Sequence, residues 1–203
     1  MPATPRPAAT VVLLRRGGRH SDRGLEILMV RRADSQSFMP GVWVFPGGGV
    51  EDGESFAECA ARELTEETGI ELEPGTEVVP WMRWITPEVV AVRFDTHFFV
   101  ALAPAHSPPK PDMAEVDDAG WFSPRGALDD ANAGELELVF PTIKTLETLL
   151  PYASAEEVLV AAPQRSLEPV LPRLVGTRDH HRIVLPWENG YEEAVGDVEG
   201  LPS

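Results

Sequence analysis

The sequence predicts an α/β protein, and three observations predict it. Runs rich in β-branched, aromatic and other apolar residues recur at 8–15, 25–32, 78–85 and 93–103. Between the second and third of these lies one sharply delimited helix, entered at Ser55 and left at Gly69. A further helical spacing, Ile143, Leu146, Leu149 and Leu150, follows the last run behind Pro141.

Residues 1–7 are proline-rich and are expected to be a flexible tail. Residues 8–15 read as a strand, 16–24 as a polar turn and 25–32 as the returning strand. The pair Arg15 and Arg16 reads as solvated charge at a strand end. Arg31 and Arg32 lead directly into a loop over 33–42, which points to a functional role. In that loop Phe38 and Met39 fit either packing onto the core or a lid against a leaving group. Next come Trp43, Val44, Phe45, Pro46, Gly47 and Gly48. Pro46 cannot donate to a strand ladder, and the bare glycine backbone admits turns and the close approach of a metal or phosphate.

The helix is the most informative stretch. Ser55 with Glu58 three residues later forms a capping box, and Gly69 suits a left-handed terminus. On a helical wheel Phe56, Ala57, Ala60, Ala61 and Leu64 share the side expected to be buried. Glu63, Glu66 and Glu67 fall within an arc of roughly 100°, with Glu67 at the margin of the apolar stripe. Crowded like charges cost about 0.2–0.5 kcal/mol per pair even when exposed. Arg62 is the only cation within the helix, too little to neutralise these acids, whereas a hard divalent ion that prefers oxygen ligands can. A merely solubilising acidic face is the alternative on this geometry.

Beyond the helix, 71–75 is a turn. Trp81 and Trp84 lie three apart in an extended run, so one is expected in the core and the other free to stack on a base. His97 reads as a structural histidine, and Asp95 shares its face with Arg93 and His97, as a polar pocket wall or a solvated face. A proline-rich excursion over 104–111 precedes Glu115. A short acidic helix or turn is expected from Ser123–Pro124 to Ala133, and a second short helix over 155–161. The proline-punctuated residues 163–203, with one strand-like piece at 181–185, read as a C-terminal arm folded over the domain or onto a second subunit of a homodimer.

The formal net charge of −16 argues against a general nucleic-acid or anionic-membrane surface. Cys59 is the single cysteine, which excludes an intrachain disulfide and suits a small buried residue. The apolar run before Arg15 is too short for a secretory leader, and none reaches the about 18 residues of a membrane helix. A cytoplasmic location is expected.

Gly48, Glu54, Arg62-Glu63-Leu64, Glu66-Glu67 and Gly69-Ile70 together resemble the Nudix box, with every fixed position present. The resemblance implies an α/β/α sandwich with a central mixed sheet, formed by a hydrolase domain over 8–162. It implies a Mg2+-dependent (or Mn2+-dependent) diphosphatase acting on a nucleoside diphosphate linked to another moiety. Glu63, Glu66 and Glu67 would be metal ligands, joined by a carbonyl near Gly48, and Arg62 would form a structural ion pair with Glu54. Glu115, in a loop before a Trp-Phe strand, would be a further ligand or the base, with Glu66 the other candidate for proton transfer. Arg32 and Arg93 would neutralise phosphate oxygens. Phe45 and Trp84 complete the expected substrate contacts.

A narrower resemblance, across Phe38–Gly48 and Trp84–Val116, is to the branch that includes the peroxisomal coenzyme A diphosphatases of animals. This chain departs from it in having no long insertion before the box helix. It also has Gln36-Ser37-Phe38-Met39 where a Leu-Arg-x-His segment stands in the bacterial coenzyme A enzymes. A coenzyme A ester or an ADP-ribose-like compound is the expected substrate class. The alternatives are a nucleoside triphosphate pyrophosphatase and a non-catalytic Nudix-fold nucleotide-binding regulator.

Overall fold

A computed structural model describes residues 2–17, 24–36, 39–177 and 180–194 of the chain. In chain order its elements are β1 (Arg6–Arg16), β2 (Leu25–Arg32), β3 (Trp43–Val44), β4 (Gly47–Gly49), α1 (Phe56–Thr68), β5 (Val79–Ile85), β6 (Phe94–Leu102), β7 (Val116–Phe122), α2 (Pro124–Ala133), α3 (Phe140–Leu149), α4 (Ala155–Ala161), β8 (Arg173–Thr177) and β9 (His180–Val184).

β1 is the axis of the sheet because its residues from Ala8 to Leu14 are buried on both faces, as a continuous apolar run demands. It runs parallel to β6 from Arg6 opposite Phe94 to Leu14 opposite Leu102. Its other edge is divided between two antiparallel partners: β4 along Ala8–Thr10 and β2 along Leu14–Arg16. β2 also pairs antiparallel with β3 and β7, and β5 pairs antiparallel with β6. The sheet is therefore mixed and forks at the middle of β1.

Alternation along the strands separates two cores. Ala9, Val11, Leu13, Leu28, Phe99 and Ala101 meet Cys59, Ala60 and Leu64 of α1. Val12, Leu14, Ile27, Met29, Phe98 and Val100 meet Ala127, Leu146, Leu149 and Val158 from α2, α3 and α4. The result is the expected three-layer α/β/α arrangement.

Trp81 and Trp84 both lie in the second core, contrary to the expectation that one would be free to stack. A β-bulge between Pro80 and Met82 inserts Trp81 as an extra residue, so Trp81, Met82 and Trp84 turn to one face. Residues expected to be a loose tail are held instead. Arg6 and Pro7 pair with Phe94 and Asp95 in β1, and the Ala3 carbonyl accepts a hydrogen bond from the Arg93 guanidinium (2.7 Å). Of the apolar loop pair, Phe38 lies outside the described residues and Met39 is exposed. Two residues of the C-terminal arm meet β5. Val170 exchanges backbone hydrogen bonds with Arg83 and Ile85 of β5, while Arg165 stacks on Trp81. Among the described residues no helix is long and apolar enough to cross a membrane.

Candidate active site

Helix α1 starts from a complete capping box, with the Ser55 hydroxyl accepting from the Glu58 N–H and the Glu58 carboxylate accepting from the Ser55 N–H. It ends at Gly69, left-handed at φ 66°. Its buried face is Cys59, Ala60, Glu63, Leu64, Glu67 and Thr68, rotated toward the acids from the stripe read off the wheel. The cause is the glycine strand β4. A Cβ on Gly48 would lie 2.2 Å from Glu63 Oε1, and one on Gly47 would lie 2.3 Å from Thr10 Oγ1. Glycine at 48 lets this side of the helix press against the β4 backbone, and glycine at 47 lets β4 lie against β1.

Two of the three clustered carboxylates are thereby taken out of water. Glu67 is 4% exposed, and its carboxylate accepts one hydrogen bond from the Gly47 N–H at 3.1 Å. Burial pushes its pKa up to about 8, with the negative charges of Glu63 and Glu115 adding to the rise; the Gly47 N–H and the Arg32 guanidinium oppose it. Glu63 is raised as well, chiefly by burial, with Glu66 and Glu115 pushing the same way and Arg62 pulling down. Glu66 points outward, with its side chain 59% exposed.

Arg62 organises the rest. Its guanidinium grips Glu54 with two hydrogen bonds (2.9 and 3.0 Å) and also reaches Glu63 Oε1, Glu66 Oε2 and the Gly49 carbonyl. This contact, with a backbone hydrogen bond from Glu51, holds the Glu54 carboxyl down at about 2. The Arg62–Glu54 pair thus ties the loop before α1 to its middle turn. Cys59 sits beneath, fully buried, its thiol donating to the Gly49 carbonyl (3.4 Å) and raised by burial to about 11.

The sequence-predicted site residues divide sharply. Glu63, Glu66, Glu67, Gly48, Glu54 and Arg62 come together on α1, β4 and the loop between them. Glu115 is brought within electrostatic reach of Glu63 and Glu67, and Arg32 within reach of Glu67. Three others are placed elsewhere. Arg93 is 7% exposed and donates to the carbonyls of Thr86 and Ala3, so it fastens the chain rather than facing a phosphate. Trp84 and Phe45 are each 3% exposed and belong to the core shared with α3, which leaves no ring face for a base. Arg31 is also committed, paired with Asp117 (2.6 Å) and Asp34 (2.8 Å).

Sequence reasoning gave no role to the Gly47 N–H, which faces Glu67, or to the Asp112 carboxylate, which accepts hydrogen bonds from the N–H groups of Ala114, Glu115 and Val116. The spacing of an aspartate just before a short turn carries that second signal.

The oxygen-only donor set of Glu63, Glu66, Glu67 and the Gly48 carbonyl suits a hard divalent cation, and two buried, mutually repelling carboxylates are what such an ion would relieve. Among the described residues no three acidic, histidine or cysteine side chains already close on one point, and Arg62 engages Glu63 and Glu66 together. Loading would require those carboxylates to be shared with, or released from, Arg62.

Comparison with known proteins agrees with this geometry. The chain is 35% identical over 100 residues to the NAD-capped RNA hydrolase of Stutzerimonas stutzeri, a match covering 49% of this chain and 33% of that protein. It is 31% identical over 128 residues to an acyl-coenzyme A diphosphatase of Homo sapiens, covering 61% and 34% respectively. The chain thus spans about a third of the length of either relative. The crystal structure of a NUDIX hydrolase from Alicyclobacillus acidocaldarius superposes with a TM-score of 0.68 at 27% identity, over 82% of this chain and 99% of that one. A model of the NUDIX domain matches residues 4–141, a span that holds β1, the glycine strand, the acidic helix and Glu115, and the chain belongs to the Nudix family.

Proposed function

We propose that the chain is a divalent-metal-dependent diphosphatase that cleaves the diphosphate bridge of a nucleoside diphosphate joined to another moiety, such as a coenzyme A ester or an ADP-ribose-like compound. The observation that carries this reading is the acid cluster built on α1. Glu63 and Glu67 are buried against the Gly47–Gly48 backbone, with Glu115 and Arg32 within electrostatic reach. Two relatives are named for compounds of this class, one for acyl-coenzyme A and one for NAD-capped RNA. The net charge of −16 favours the small-molecule members of the class over a long nucleic acid.

Glu63, Glu66, Glu67 and the Gly48 carbonyl would hold Mg2+ or Mn2+, which neutralises phosphate charge and makes a bound water more acidic. The chain's own groups do the rest. Arg32, whose charge is felt at Glu67, supplies positive charge for a phosphate oxygen. An exposed carboxylate, Glu115 or Glu66, takes a proton from the attacking water. The water oxygen bonds to one phosphorus as the bond to the bridging oxygen breaks, and that oxygen leaves with its own phosphate.

The test is product analysis with Mg2+ and with Mn2+ over coenzyme A, acyl-coenzyme A, NADH, ADP-ribose, dinucleoside polyphosphates and nucleoside triphosphates. Coenzyme A should give 3′,5′-ADP and a phosphopantetheine. Preference for triphosphates with release of diphosphate would reject the substrate class. No hydrolysis across the panel would favour a nucleotide-binding regulator.

A further inference from the structure

The chain enters the site a second time after β6, through the turn at 110–116. Its near end is bonded to the last turn of α1: the Lys110 N–H donates to the Thr68 carbonyl (2.8 Å) and the Asp112 N–H to the Glu67 carbonyl (3.3 Å). Its far end is bonded to the loop after β2, where the Ala33 N–H donates to the Glu115 carbonyl (2.9 Å) and the Gln36 amide to the Ala114 carbonyl (3.2 Å). Glu115 is therefore suspended between the helix that carries the acid cluster and the loop that follows Arg32.

What gives the turn its shape is Asp112. Its Oδ1 accepts from three successive backbone donors, the N–H groups of Ala114 (3.1 Å), Glu115 (3.0 Å) and Val116 (3.0 Å), and Oδ2 adds a longer contact to Glu115 (3.2 Å). Met113 between them adopts φ 63°, a left-handed conformation that a bulky side chain disfavours, and its own N–H donates to the Val116 carbonyl (2.9 Å). Met113 is 69% exposed, so no packing of its side chain accounts for that conformation. The carboxylate of Asp112 does, by turning three N–H groups toward one oxygen.

We infer that Asp112 is a positioning residue whose carboxylate fixes the Glu115 backbone so that the Glu115 side chain stands at the Glu63–Glu67 cluster. The inference rests on the proposed diphosphatase reading, in which Glu115 is a candidate base. The electrostatic influence of Glu115 on both Glu63 and Glu67 accords with that placement. Asp112 touches no reacting atom. Its effect passes through one residue.

The experiment is a double-mutant cycle between Asp112 and Glu115 in the full chain, scored by kcat and KM and by amide hydrogen exchange at residues 114–116. Asp112→Ala should lower kcat about 10-fold or more with KM nearly unchanged, and should speed exchange at those amides. Asp112→Asn keeps the accepting oxygen and should recover most of the loss. Asp112→Glu keeps the charge but moves the acceptor by a methylene, so it should behave like alanine and serves if the alanine variant folds poorly. Asp112→Ala in a Glu115→Gln background should cost nothing further. Independent, additive losses would overturn the inference, as would faster exchange with unchanged kcat, and either would leave the diphosphatase reading standing. A wild-type protein inactive on the whole substrate panel would overturn both.

Discussion

Replacing Glu67 by glutamine isolates the electrostatic strain stored against β4. Glutamine keeps the shape and an oxygen to accept the Gly47 N–H, but removes the ionisable group. The carboxyl is 4% exposed, and burial raises its pKa from 4.5 to about 8. Below the lower value both native and unfolded chains hold the proton, so the group does not discriminate between them. Between the two values the unfolded chain releases the proton while the native chain retains it, so native stability falls as pH rises. The loss amounts to about 1 kcal/mol at about pH 5, about 3 kcal/mol at about pH 7 and about 5 kcal/mol at about pH 9. Urea unfolding of wild type and variant in the presence of a chelator, at those three pH values, reads it directly. The stability gained on substitution should be small in acid, grow between the two pKa values and level off above about pH 8. Subtracting the variant from the wild type removes the contribution of the other acids of this highly charged chain. Parallel pH profiles for the two proteins would refute the claim that Glu67 is held in a desolvated site.

Glu66→Gln leaves the fold intact and should cut turnover by about 10²-fold or more, measured as kcat under saturating metal. Gly48→Ala places a methyl 2.2 Å from Glu63 Oε1 and must displace that carboxylate, so activity should fall by a comparable factor while the far-ultraviolet spectrum is unchanged. Arg93→Ala strands the Thr86 and Ala3 carbonyls, and should cost about 1–3 kcal/mol of stability by denaturant titration while leaving KM unaltered. Arg62→Ala frees Glu54, Glu63 and Glu66 from their shared cation, so melting temperature and kcat should fall together; a native melt with a raised KM alone would make Arg62 a substrate contact.

The acid helix was legible because its information is local. Capping box, terminal glycine and carboxylate spacing all lie within α1 and its flanks, and each is present in the folded chain. The strands on either side were legible for the same reason. What escaped depended on partners distant in sequence. Arg93 reads as a phosphate-binding arginine until the Ala3 carbonyl, ninety positions earlier, is found against it. Strict alternation puts the two tryptophans of β5 on opposite faces, and one inserted residue beside Pro80 cancels that rule. The strands β3 and β4 are two and three residues long, too short for any period to register, yet β4 sets the orientation of the helix face that matters. Asp112 was in plain view, but its partners are backbone N–H groups, which have no letter in the sequence.

The seat of Val170 against β5 bears on how this molecule meets others. β5 is the last strand on its side of the five-strand path, and an outermost strand with unpaired N–H and C=O groups is a template on which another chain can add. The Val170 N–H donates to the Arg83 carbonyl at 2.8 Å, and its carbonyl accepts from the Ile85 N–H at 2.9 Å. A single residue from late in the chain thus occupies two of the backbone groups, at the Ile85 end, through which a neighbour would zip onto β5. Sheet-to-sheet association along that margin would first have to peel the segment around Val170 away, uncovering the nearby indole of Trp84 as it went.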